Sequence, residues 1–148
     1  FKVGITRSGN ETTRWVDQGA IQALPLLQVE KRLDAGLIEV ALKQHIGDKT
    51  NWRVMLSSSG KELNLAEKKK ELSSFLPSHI PFQPSNDKSY TFIYPVLEYP
   101  KKIVSHNFDK NPQVSGELLG IKGQYLILST GVLNIRKFSG YEIEWLLP

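Results

Sequence analysis

The sequence predicts an α+β protein: a small mixed sheet with helices in front, followed by an antiparallel β meander or small barrel. Three observations predict it. Apolar residues recur at helical spacing up to residue 76, most clearly from Leu33 to Ile46. Three prolines with Ser, Asn and Asp then fill residues 77–89. From Tyr90 onward, short β-type runs are separated by the turn pairs Lys122-Gly123, Thr130-Gly131 and Ser139-Gly140. The chain therefore divides into an α/β domain at 1–76, a linker at 77–89 and an antiparallel β subdomain at 90–148.

Phe1–Thr6 reads as a short buried strand, and Ser8-Gly9-Asn10 as a turn. Thr12 or Thr13 is placed to cap a helix that starts near Arg14 and stops at Gly19. Leu24–Val29 reads as an edge strand, because Pro25 cannot donate to a central ladder. The helix Leu33–Ile46 carries one apolar stripe of Leu33, Leu37, Val40 and Ala41, and another of Ala35, Ile38, Leu42 and Ile46. A helix apolar around most of its circumference is expected to be largely buried. Glu39 and Lys43 share its remaining polar side. Trp52–Leu56 fits a short strand or a helical turn. Asn64 caps a charged helix from Leu65 to about Leu76, which Pro77 ends. Behind the linker, Tyr90–Tyr99 reads as one strand or a bent pair. Val114–Ile121, Gln124–Ser129, Leu133–Phe138 and Tyr141–Leu146 read as consecutive strands.

The bulk composition narrows the function classes. Hydrophobic content of 40% and charged content of 23% suit a globular protein. No apolar run approaches the roughly 18 residues of a membrane span, and no signal-peptide pattern opens the chain. The absence of cysteine excludes a thiolate metal site within these residues and suits the cytoplasm. Opening on Phe1, the sequence reads as a fragment with an upstream piece removed. The net charge of +4 leans to the front, where 12 Lys and Arg stand against 9 Asp and Glu in residues 1–76. That imbalance is weaker than in dedicated nucleic-acid binders.

Four spaced features suggest chemistry: Gly4 in an apolar strand, Arg14, Glu39 inside an apolar helix, and Asn51. Phosphodiester hydrolysis needs a fixed cation to stabilise charge on the phosphoryl oxygens, a role suited to Arg14. A carboxylate such as Glu39 can hold a divalent metal, Mg or Mn. Gly4 leaves room for a nucleic-acid backbone. Lys2 and Arg7 are placed to touch phosphates. Each residue also has an ordinary role: Glu39 can pair with Lys43 at i,i+4, Asn51 can cap a helix, and Gly4 can be a close-packing glycine. His45, Asp48 and Asn51 make a weak metal trio, and His79 and His106 lack a partner pattern. Ser57-Ser58-Ser59-Gly60 lacks the lysine of a phosphate loop. Lys68-Lys69-Lys70 reads as a solvated face, and Trp15, Trp52 and Trp145 as core residues.

The segment Lys2-Val3-Gly4-Ile5-Thr6, Arg14, Glu39 and Asn51 resembles the second half of the GIY-YIG nuclease motif. The longer block KVGITR, TRWVDQGA, GLIEVALKQH and DKTNW, with GELLGIKGQYLILSTGVLNIRKFSGY behind, is similar to an uncharacterised bacterial family distantly related to it. Members of that family tend to carry a cysteine-rich, zinc-binding segment ahead of KVGITR. The resemblance implies a GIY-YIG-like domain at 1–76 that lacks its first strand. It implies Arg14 as the phosphate-stabilising arginine, Glu39 as the metal ligand and Asn51 as the late asparagine. Lys2 stands where those enzymes have a second tyrosine, and Gln18 where many have a histidine. No general base is identifiable from these residues.

Three functions follow as expectations. The first is a metal-dependent nuclease acting on DNA or RNA through Arg14 and Glu39. The second is a non-catalytic nucleic-acid-binding module in which Lys2, Arg7 and Arg14 position phosphates and Glu39 pairs with Lys43. The third is a protein-interaction role for the C-terminal β unit.

Overall fold

The computed structural model describes residues 1–47 and 49–147. The class is α+β, as expected. Helix α1 spans Glu11–Asp17, β1 Gln22–Ala23, β2 Leu27–Gln28, α2 Arg32–Leu42, α3 Trp52–Ser57 and α4 Leu65–Ser73. Then follow β3 Gln83–Pro84, β4 Tyr90–Thr91, β5 Leu118–Lys122, β6 Tyr125–Leu128, β7 Gly131–Asn134 and a 3-10 turn at Arg136–Phe138. Strands β5, β6 and β7 form an antiparallel meander, and no barrel closes among the described residues.

In front, the expected mixed sheet is reduced to two small antiparallel ladders, β1 with β4 and β2 with β3. A parallel bridge from Lys2 to Gly47 accompanies them. Phe1–Thr6 thus forms a bridge and not a strand, and of Leu24–Val29 only Leu27–Gln28, beyond Pro25, pairs as a strand. Residues 77–89 take part in the fold. β3 lies within them, and Ile80 is buried beside Val3, Ile38, Leu42 and Leu72. Lys69 of α4 fastens the same stretch through Asp87 at 2.9 Å and the Ser85 carbonyl at 2.9 Å. It is therefore not a solvated lysine. A second core joins Leu56 of α3 to Ile127 and Val132 of the meander.

Local chemistry explains most boundaries. Asn64 caps α4 by accepting from the Glu67 amide at 3.1 Å, as expected. Asn10, not Thr12 or Thr13, precedes α1, because the turn from the Arg7 carbonyl to the Asn10 amide already directs the chain into the helix. Trp52–Ser57 resolves as helix.

Helix α2 corrects the expectation of burial. Ile38 and Leu42 face the core, while Leu33, Leu37 and Val40 are 71%, 46% and 58% exposed. The core covers one face only. Tyr141–Leu146 forms no strand, since the 3-10 turn at Arg136–Phe138 carries the chain away from the β7 edge. Trp145 is exposed, whereas Trp15 packs on Tyr90 and Trp52 stacks on Tyr125.

Candidate nucleic-acid interface

The site starts with the first five residues. The Val3 amide donates to the Gly47 carbonyl at 2.8 Å, and the Val3 side chain is buried against α2. Lys2 is left exposed. Its Nζ donates to the Gln18 side chain and to Thr50 Oγ1 at 3.1 Å. Gln18 is the C-cap of α1, four residues beyond Arg14 and so on the same side of the helix. Thr50 immediately precedes Asn51. The ammonium of Lys2 therefore joins the turn that carries Arg14 to the start of α3.

Asn51 is the N-cap of α3, its side chain accepting from the Val54 amide at 3.2 Å. That leaves its amide NH2 as a donor. Gly4 is exposed, and a methyl group added there would meet nothing within 4 Å. The open space answers the close-packing alternative: Gly4 is not a packing glycine. Arg7 is exposed in the turn before α1, where its carbonyl accepts from the Asn10 amide. Arg14 is exposed, and no hydrogen bond or ion pair among the described residues engages its guanidinium. Asp17, three residues beyond Arg14, is turned towards Arg136 at 3.8 Å.

Glu39 belongs to the exposed side of α2. It lines an open depression of about 520 Å³ with Ile5, Arg32, Leu33, Gly36, Leu37 and Val40. Its carboxylate lies 4.0 Å from Lys43 Nζ. Arg14 is not among the lining residues, and among the described residues no hydrogen bond or ion pair joins it to Glu39. A single carboxylate between Arg32 and Lys43 is a poor donor set for Mg or Mn, which require several oxygen ligands. Among the described residues no group of three or more His, Cys, Asp or Glu is placed to hold a metal ion. Of the trio His45, Asp48 and Asn51, Asp48 lies outside the described residues. His45 stacks on Phe75 at 3.6 Å.

Sequence reasoning missed several features. Thr50 and Gln18 as the partners of Lys2 carry no sequence signal. Arg53 lies over the Trp52 ring at 4.3 Å, and their adjacency on α3 was a usable hint. Lys122 is buried at 1% exposure, donates to the Ser58 carbonyl at 2.8 Å, and faces the Tyr94 and Tyr99 rings. Burial lowers its pKa.

A family model described as "Protein of unknown function (DUF2797)" matches residues 1–143. No curated protein and no solved structure matches, and the comparisons do not support the expected resemblance to GIY-YIG nucleases. No helix among the described residues is long and apolar enough to cross a membrane.

Proposed function

The chain belongs to the family described as protein of unknown function (DUF2797), and on that premise we propose that it is a nucleic-acid-binding module without hydrolytic chemistry. It holds the phosphodiester backbone of DNA or RNA on the face that bears Lys2, Gly4, Arg7, Arg14 and Asn51. One observation carries this reading. The hydrogen bonds of Lys2 to Gln18 and Thr50 draw the Arg14 side of α1 and the cap of α3 together beside the open backbone of Gly4. Exposed cations in such a group neutralise phosphates and release counterions. Arg14 supplies a planar fork for two phosphate oxygens, while the Asn51 NH2 donates to a third.

A second reading keeps one supporting observation. The depression beside Glu39 opens next to Ile5, one residue beyond Gly4. Hydrolysis by a GIY-YIG-type mechanism would use Glu39 there, with Mg or Mn.

Two assays separate the readings. Labelled single- and double-stranded DNA and RNA are titrated with the protein in EDTA, and the same substrates are incubated with Mg or Mn. The binding reading expects metal-independent association, weakened by Arg14→Ala, with substrates left intact. Metal-dependent cleavage lost in Glu39→Gln would establish the nuclease instead. Neither association nor cleavage would remove both.

A further inference from the structure

Helix α2 presents two apolar faces, and the core covers one of them. Ile38 and Leu42 point inward. On the opposite side Leu33, Gly36, Leu37 and Val40 recur at i, i+3, i+4 and i+7, the spacing of a helix–helix seam. Leu33, Leu37 and Val40 are among the more exposed large apolar side chains of the front half. Single exposed leucines are ordinary, but a contiguous stripe above an open depression marks an interaction surface.

The charges beside the stripe indicate what covers it. Arg32 and Glu39 are seven residues apart, so both lie on the same flank. When two such helices pair antiparallel, like flanks meet, and Arg32 of each copy comes opposite Glu39 of the other. The two-fold axis repeats the pair, so the surface complements itself. A parallel pairing would instead set Arg32 opposite Leu37, with no carboxylate to meet. At the centre, a Cβ on Gly36 would meet nothing within 4 Å. The missing side chain lets the two helix backbones approach closely. The existing contact of Glu39 to Lys43 is long, at 4.0 Å, and is given up at little cost.

We propose that this chain self-associates through α2, as an antiparallel two-fold pair centred on Gly36, with Arg32 of each copy facing Glu39 of the other. The proposal is independent of the nucleic-acid reading and gives Glu39 a role without a metal. An 11-residue helix is about 16 Å long. The interface therefore falls at the small end of the range, and association depends on protein concentration.

The test is sedimentation velocity without nucleic acid, over roughly 1 μM to 1 mM, the span a small interface calls for. The parent is expected to pass from monomer to dimer. Arg32→Glu and Glu39→Arg, each placing like charges together, weaken association at least about tenfold. The double variant Arg32→Glu/Glu39→Arg restores it, which a merely misfolded single variant would not do. A parent that stays monomeric throughout, single variants that associate like the parent, or a double variant that stays monomeric would each overturn the proposal.

Discussion

Lys2 Nζ and Thr50 Oγ1 lie 3.1 Å apart, and Thr50 directly precedes the cap of α3. This contact spans 48 positions and ties the first residues of the chain to the third helix. It also sets the division of labour on the candidate face, where Lys2 is held by protein groups and Arg14 projects without a partner among the described residues.

Asn51 serves as a helix cap and as a phosphate donor, and substitutions separate the two roles. Asn51→Ala is expected to cost about 1 kcal/mol of stability, the usual loss of a side-chain cap. Asn51→Asp keeps the cap but places a negative charge on the face. It should unfold at the parent's urea midpoint and bind nucleic acid more weakly. Urea titration together with anisotropy measures both.

Two glycines make a contrasting pair. Gly4 has open space above it, so Gly4→Ala should leave the melting temperature within about 2 °C of the parent. It should still weaken nucleic-acid binding by crowding the backbone. At Gly120 an added Cβ would sit 2.8 Å from Val96 Cα and 3.0 Å from the Pro95 carbonyl oxygen. Backbone atoms cannot yield as a side chain does, so Gly120→Ala should cost about 1–3 kcal/mol. Thermal melts of the two variants check this.

Ile80 tests whether residues 77–89 belong to the folded core. Its side chain is 5% exposed and packs with Val3 and Leu42. Ile80→Ala should therefore cost about 2–5 kcal/mol. A side chain in a free linker would cost close to nothing, and chemical denaturation distinguishes the two.

Where sequence reading succeeded, the signal was local. Asn64 before a charged helix, and the glycine turns at Gly123 and Gly131, determine structure within a few residues. The glycines adopt φ of +59° and +153°, which few other residues tolerate. The failures were non-local. The two stripes of α2 are equivalent in sequence, and which is covered depends on Val3, Leu72 and Ile80, all distant along the chain. In β5 a register shift between Leu118 and Gly120 turns Ile121 outward and Lys122 inward. A slip of one residue exchanges the faces of a strand, and no composition rule reveals it. On the candidate face, Lys2, Gly4, Arg7, Arg14 and Asn51 could be nominated from sequence. The depression that Glu39 lines could not, because it depends on how α2 packs.

Stability should respond to alkaline pH through the half-buried Tyr94 and the buried Lys122. The Tyr94 hydroxyl donates to the Ala20 carbonyl at 2.8 Å. Burial, then Tyr99 and Asp17, push its pKa up to about 12 from 10.0. The unfolded chain loses that proton first, so the contribution is intact below pH 10 and is lost as pH rises from 10 towards 12. Lys122 acts in the opposite sense. Burial lowers its pKa, so the folded state sheds its proton first, and stability rises as pH climbs towards 10.5. Denaturation at stepped pH should show Lys122→Met flattening the rise and Tyr94→Phe flattening the fall.

The most direct measurement is the salt dependence of nucleic-acid binding by the parent and by Arg14→Ala, in EDTA, by fluorescence anisotropy. The account predicts that the variant binds more weakly on every sequence tested. It also predicts that the slope of log K against log salt becomes shallower by about one, as expected when one phosphate contact is lost. Equal affinity and equal slope for the two proteins would contradict it.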